Sequence, residues 1–418
     1  MKTKTGSKTG DAVVKVPRFR LFLMVAVVGA AYFLSNFHRL SFGVMGGLVV
    51  KDFSLSAGQL GTLGFALFCA YAIMQLFCGV AADKLQTRTL IVLSCLLTGC
   101  GTLWFSQAWT FASLVGSRSL TGAAIACVYV PALASFRRWF GDESFGTVTG
   151  VLVAIGQLGS LSASTPLKLA IDAMSWREVF ALLGCVSLLL AGAAFFCVLK
   201  NPERPLRQKE AFAGDLWVPL LNPAFLVVTV WFFITGGTRV AFQGLWGADF
   251  FVRALGKGAD QSSLFLMWQS VGCILGALFL GYVSDVLGSM RTLTLSGTTL
   301  TVTWVALGLS GPNTPGWVVG ALNLLLGAVG TGGLAVAFGS IRLFSEGANT
   351  GFLSGVNNCS TFLGSALAAQ GTGYFVQTLE TWPIAEKYSV LWLFFAALCF
   401  ISTLSVAWAN RSHLKAGL

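Results

Sequence analysis

Residues 21–50 read LFLMVAVVGAAYFLSNFHRLSFGVMGGLVV, an apolar run whose one charge is Arg39, with His38 beside it. A run of that length is long enough to cross a bilayer as a helix. An arginine well inside such a helix costs about 2.5–3.5 kcal/mol on insertion scales, so it is expected to face a partner, a bundle interior or a water-filled cavity. The run is too long for a cleavable leader, and an equally apolar segment follows it. Across all 418 residues, 55% are hydrophobic and 10% charged. That is too little charge to cover a soluble surface of this size, so the chain reads as an all-α polytopic membrane protein.

Working outward from that run gives twelve spans, at 19–49, 57–81, 89–107, 110–136, 145–169, 178–199, 223–248, 261–284, 290–310, 316–342, 350–376 and 387–409. The longest connection, 200–222, carries Lys200, Arg204, Arg207 and Lys209 with three prolines. It divides the chain into an N-terminal tail (1–18), a first six-helix bundle (19–199), a central loop (200–222), a second bundle (223–409) and a C-terminal tail (410–418). Eighteen Lys and Arg fall on the side of the tails and central loop and six on the other. By the bias of basic residues toward the cytoplasm, both termini are expected there, in a bacterial inner membrane. The net charge of +11 resides in these short loops and does not indicate nucleic acid. Ten cysteines form no CxxC pair and no Cys/His cluster, so they read as small buried side chains rather than metal ligands.

The two bundles carry an internal repeat. Gly79-Val80-Ala81-Ala82-Asp83 ends span 2, and Gly281-Tyr282-Val283-Ser284-Asp285 ends span 8, an offset of 202 residues. Gly150 and Gly159 of span 5 recur as Gly355 and Gly364 of span 11, an offset of 205. Arg239 lies in span 7, the repeat equivalent of span 1, 46 residues before Asp285, while Arg39 is 44 before Asp83. Tyr32, Asn36 and Arg39 share one helix face, and so do Thr235, Arg239, Gln243 and Trp246. Carboxylates are confined to loops, tails and span edges, with Asp249 at the outer end of span 7 the nearest to an exception. Two equivalent cations without a countercharge make a cavity that attracts an anion. The planar donor fork of arginine suits a carboxylate or phosphate. The competing reading is that each arginine bonds backbone carbonyls and serves packing alone.

Further polar or aromatic candidates for the cavity are Gln157, Tyr129, Trp268, Gln269, Asn357 and Asn358. Arg118, in GSRSLTGA of span 4, lies among small residues that allow close helix approach. His38 is the intramembrane group that titrates near neutral pH, although the positive charge beside it disfavours protonation. It points about 100° away from Arg39 on the helix. No Walker lysine and no Ser–His–Asp set is present, so neither an enzyme nor an ATP-driven pump is expected. No cofactor is expected. The partners are a small-molecule substrate, a proton or counter-anion, and the lipid bilayer, for a protein acting as a monomer.

The loop after span 2, Gly79-Val80-Ala81-Ala82-Asp83-Lys84-Leu85-Gln86-Thr87-Arg88, resembles the Gly-x-x-x-Asp-Arg/Lys-x-Gly-Arg-Arg pattern of the major facilitator superfamily. The resemblance covers nearly all of 18–410. Gln86 and Thr87 depart from the pattern, so this loop is expected to hold its gate less firmly. The resemblance implies that Asp83, Lys84, Arg88, Asp285 and Arg291 latch helix ends across the halves, with rocker-switch alternating access. Arg118 with Gly122 resembles the superfamily's Arg-x-x-x-Gly motif, tied there to proton coupling or helix packing. The Gly-Pro pair of drug/proton antiporters is absent from span 5, which reads Gly156-Gln157-Leu158-Gly159-Ser160. Span 1 resembles that of the superfamily's organic-anion carriers, and an arginine in each of spans 1 and 7 is similar to the organophosphate exchangers. This implies Arg39 and Arg239 as anion ligands. The expected function is secondary transport of a small organic anion by symport or exchange. A carrier of zwitterionic amino acids or dipeptides and a proton-coupled exporter of drugs or metabolites stand as alternatives.

Overall fold

The computed structural model describes residues 16–201, 222–340, 350–378 and 381–415. Most of the tail, of the central loop and of the connection that holds Arg342 lie outside it, as does the side chain of Asp83. The first bundle comprises α1 (Arg18–Leu40), α2 (Phe42–Phe53), α3 (Ala57–Lys84), α4 (Thr87–Ser106), α5 (Phe111–Ala126), α6 (Tyr129–Ser162), α7 (Thr165–Ala173) and α8 (Trp176–Cys197). The second comprises α9 (Pro223–Trp231) with its continuation to Ala254, α10 (Ala259–Leu287), α11 (Ser289–Gly308), α12 (Gly316–Ser340), α13 (Thr350–Thr378) and α14 (Ile384–Lys415).

Several expected spans are broken, and the sequence explains each break. Span 1 pauses at Ser41, whose hydroxyl donates to the His38 carbonyl at 3.3 Å. Span 4 breaks after Ala126 because Pro131 in the next turn has no N–H for the preceding turn's carbonyl. Pro166 opens α7 at a position where the missing N–H is harmless, and the short break Ala163–Ser164 precedes it. The α6 helix itself turns at Gly141 (φ 67°, ψ 178°), the corner between spans 4 and 5. In the first bundle, the helices that begin on the side opposite the chain ends are capped by side chains. Ser56 with Gln59 and Ser175 with Glu178 form capping boxes on α3 and α8, and Thr110 caps α5.

Ten described segments are long and apolar enough to cross a membrane by length and composition alone. The other two of the twelve, α11 and α13, are rich in Thr, Ser and Asn. In α11 those hydroxyls are satisfied locally: Thr292, Thr294, Thr298, Thr299, Thr301 and Thr303 each donate to the carbonyl four residues back, at 2.8–3.0 Å. A polar helix whose hydroxyls already have partners can lie in a bundle without carrying unpaired groups into lipid.

The repeat has a packing basis. Gly159 of span 5 lies on the backbone of Phe33 in span 1, and Gly364 of span 11 lies on the backbone of Phe233 in span 7. A Cβ at either glycine would sit within 3.0 Å of the phenylalanine carbonyl carbon. In both bundles the first and fifth helices thus touch backbone to backbone at the same level.

Span 7 is wound unlike its counterpart. After α9 it passes through three π turns, Phe232–Gly236, Phe242–Trp246 and Phe250–Ala254, separated by the short α pieces Gly237–Ala241 and Gly247–Asp249. Each π turn takes in one residue more than an α turn. Two of them follow Arg239, in the stretch that carries the two-residue surplus between Arg239 and Asp285 relative to Arg39 and Asp83.

The halves are packed together on the side opposite the chain ends. There α3 meets α13 with Gly61 against Ala369 and Gly373, and the Gln377 amide oxygen accepts from Ser56 Oγ (3.2 Å) and Gly58 N (2.9 Å). Lys168 of α7 pairs with Asp172 beside it and with Asp260 of α10 at 2.8 Å. These two carboxylates hold the Lys168 ammonium above its ordinary pKa. On the side of the chain ends, Gly146, Gly150, Gly281 and Gly355 have open space where a Cβ would stand. Asp285, Lys84 and Arg291 are exposed there, and among the described residues none of the three makes an ion pair. Arg88 turns away from a cross-half latch and donates to the Val198 carbonyl at the end of α8 (2.6 Å). The molecule is closed on one side and loose on the other.

Candidate functional site

Arg239 sits on the α piece between two π turns and is 7% exposed. Its Nη1 donates to Gln243 Oε1 (3.2 Å) and to Cys273 Sγ (3.6 Å), while its Nε has no partner. Gln243 passes the chain on to Ser270 Oγ (3.0 Å), which reaches the Ser160 carbonyl of the other half (3.4 Å). Room for the side chain comes from Gly330 of α12, where a Cβ would lie 3.0 Å from Arg239 Nε. Thr235 bonds the Trp231 carbonyl (2.7 Å) and Trp246 the Ala369 carbonyl (3.0 Å), so both serve the helix and its packing.

Arg39 is only half-buried and lies at the interface of the two bundles. Its Nη2 donates to Asn36 Oδ1, and Asn36 donates in turn to the Tyr32 carbonyl (2.9 Å). Its guanidinium carbon stands 5.5 Å from the Tyr71 ring centre on α3 and 5.3 Å from that of Phe362 on α13. Those rings touch each other across the halves at 4.2 Å. Asn358 lies beside Tyr71. Tyr32 stacks on Tyr129 at 5.2 Å, so three tyrosines gather beside Arg39.

Arg39 and Arg239 face the same interface between the halves. Gly244 approaches the Arg39 carbonyl, to which a Cβ would stand at 3.0 Å, and each guanidinium is within electrostatic reach of the other. Ion pairs among the described residues are those of Lys168 and of Arg253 with Asp249, all near the closed end. Among the described residues neither Arg39 nor Arg239 has a carboxylate partner. The arrangement can hold an anion between a guanidinium from each half, with amide and phenol groups around it.

The other expected residues divide. Asn358 joins the Arg39 side, and Asn357 accepts from Thr229 of α9 (2.7 Å) with its amide nitrogen unpaired. Gln157 is half-buried on α6, one residue from Gly156, which packs on Tyr32 and Asn36. Gln269 is buried at the α10–α12 contact, its carbonyl against Gly327 and its side-chain amide unpaired. Trp268 is not brought to the arginines; it is 42% exposed on the outer face of α10, beside Gly320. His38 points into the first bundle, its Nε2 3.5 Å from Thr102 Oγ1 on α4 and its ring 6.1 Å from that of Phe180 on α8. Arg118 is in the same interior, over the Phe42 ring at 4.5 Å. Sequence reasoning missed Tyr71, Phe362, Ser270, Cys273 and Gly330. A weak signal existed for Tyr71, one of six tyrosines in a chain with 34 phenylalanines.

Twelve crossings in two pseudo-symmetric bundles, closed at one end around paired cations, define a membrane carrier and not an enzyme. The sequence profile of the Major Facilitator Superfamily matches residues 21–246, more than half of the chain, and the protein belongs to that superfamily. It is 24% identical over 279 residues to a Cupriavidus necator protein described as a "Probable sulfoacetate transporter", covering 63% of this chain and 64% of that one. To a hexuronate transporter of Bacillus subtilis it is 22% identical over 272 residues, covering 63% of each. Both matches therefore span just under two thirds of the relative's length. Among solved structures, a bacterial homolog to the human lysosomal transporter Spinster, inward-facing and unoccupied, superimposes with a TM-score of 0.75. That match has 16% identity and covers 96% of this chain and 99% of the other. At that identity the likeness is one of fold.

Proposed function

We propose that the protein is a secondary transporter of a small organic anion, a carboxylate, sulfonate or phosphate ester, working by alternating access. The observation that carries this reading is that Arg39 and Arg239, one from each half, lie within electrostatic reach of each other with no carboxylate partner among the described residues. An anion between them would neutralise two cations whose approach is otherwise repulsive, and it would tie the halves together. The printed names of the two relatives, one for a sulfoacetate and one for a hexuronate carrier, support an anionic substrate. The six-helix halves, 19–199 and 223–409, rock as bodies about this site. The bias of basic residues supports a cytoplasmic location for the side of the chain ends, and the bacterial relatives support an inner membrane. The closed side then faces outward and the structure is inward-facing. The pathway lies within one chain, so a monomer suffices.

Coupling follows from charge. The site has no carboxylate relay, and His38 faces the interior of the first bundle. The substrate's own charge, or exchange for a second anion, therefore carries the driving force. The test is thermal stabilisation of the purified protein by panels of organic anions, zwitterions and cations, followed by uptake and exchange in proteoliposomes. Anions stabilise the wild type, and Arg39→Ala and Arg239→Ala lose the effect. Stabilisation by cations that survives both substitutions sinks the proposal. A response confined to zwitterions replaces it with an amino acid or dipeptide carrier.

A further inference from the structure

Three arginines lie inside the spans, and they differ in what satisfies them. Arg39 bonds Asn36, and Arg239 bonds Gln243 and Cys273. Arg118 is 3% exposed and makes no hydrogen bond or ion pair among the described residues. Its guanidinium carbon lies over the face of Phe42, 4.5 Å from the ring centre. A guanidinium has five N–H donors, and a buried charge without partners is strongly destabilising. A cation–π contact offsets a fraction of that cost. Among the described residues no counter-group stands beside Arg118 to supply the remainder.

The surroundings define what that group is. Phe42 packs on Phe105 at 6.1 Å, and Phe105 on Phe180 at 5.3 Å, so this part of the first bundle's interior is aromatic. His38 is 1% exposed and lies within electrostatic reach of Arg118. Thr102 commits its proton to the Thr98 carbonyl at 2.7 Å, leaving only its oxygen lone pairs toward His38. The free donors in this interior are those of Arg118. Apolar walls favour an ion that sheds water easily, and a single guanidinium balances a single charge. Arg118 and His38 are 3% and 1% exposed, so a small ion suits this interior better than an organic substrate. His38 and Arg39 point about 100° apart on one helix, which separates this place from the cavity between the halves.

We infer that Arg118 anchors a second anion site, inside the first bundle and apart from Arg39 and Arg239, that takes a small, weakly hydrated inorganic monoanion such as chloride, bromide or iodide. The bound ion supplies the countercharge for Arg118 inside the first bundle. Its source is dissolved salt, as distinct from a second anionic group on a transported substrate.

The test is thermal unfolding of the full-length protein in detergent, titrated with sodium bromide against sodium sulfate at constant ionic strength. A saturable rise of a few degrees is expected for bromide and iodide, less for chloride and none for fluoride. Arg118→Met keeps the volume and removes the charge; it abolishes the saturable rise, while Arg39→Ala keeps it. The same titration with an organic anion in a halide-free buffer separates the sources: a rise abolished by Arg39→Ala but kept in Arg118→Met belongs to the other site. Should Arg118→Met not fold, bromide anomalous scattering from crystals of the wild type reads the site directly, with a peak expected beside the Arg118 guanidinium. A wild type without a saturable bromide response, a response retained in Arg118→Met, or a bromide peak elsewhere overturns the inference.

Discussion

The two arginines at repeat-equivalent places have been given different surroundings. Arg39 stands on a regular α-helix, half-buried, between aromatic rings contributed by both halves. Arg239 stands between π turns, buried, tied to an amide and a thiol of its own half. The repeat thus preserves the position of the charge and not its environment. An anion bridging the pair would meet a flat, adaptable cation–π surface on one side and a fixed polar socket on the other, which orients an asymmetric ligand.

That contrast can be broken at several points. The largest effect is expected from Arg239→Ala, because a charge interaction in a buried socket is screened least. Substrate affinity should fall about a hundredfold, against about tenfold for Arg39→Ala, as measured by binding to the purified protein. Equal losses would show that the two environments do not matter. Gly330→Ala comes next. Its methyl would stand 3.0 Å from Arg239 Nε, so the guanidinium must move, and a loss of about tenfold is expected with Arg39 untouched. Phe362→Leu removes one ring from the Arg39 cage and should weaken binding only severalfold, since a partly exposed cation–π contact is worth about 0.5–1 kcal/mol.

The smallest effect belongs to the closed end. Lys168→Met removes the link from α7 to Asp260 of α10. Exposed pairs contribute little, so the populations of the two carrier states should shift by only about two- to fivefold. The shift is readable as inter-half distances between spin labels in a cysteine-free background. The Lys168 pKa is raised in this state. The link is therefore complete at neutral pH and is lost as pH rises through the raised value, so the wild type should approach the variant only at strongly alkaline pH. Convergence at neutral pH would mean the pair does not hold this end.

The bundle architecture was legible because hydrophobic run length, basic-loop bias and the glycine offsets are consequences of the bilayer itself. The repeat read from Gly159 and Gly364 turned out to mark two backbone contacts on Phe33 and Phe233. Arg39, Arg239, Gln243 and Asn358 were legible as site candidates because charges and amides are conspicuous in an apolar chain. Tyr71 and Phe362 were not, because an aromatic among 53 carries no label until the halves are brought together. Trp268 misled for the same reason: a tryptophan facing outward reads no differently in sequence from one facing a cavity. The π turns of span 7 left a trace, the two-residue mismatch in the repeat, but a mismatch alone does not say whether a loop or a helix absorbs it.

Span 7 extends from Phe225 to Ala254, 30 residues, more than a bilayer core needs. Three of those residues are taken into π turns without adding height, which withdraws about 4.5 Å from the length of an uninterrupted α-helix. A long hydrophobic helix ordinarily meets a thinner membrane by leaning. This one is shortened by winding, so it can stand more upright than its residue count suggests, with Arg239 on one of the short α pieces between the wider turns.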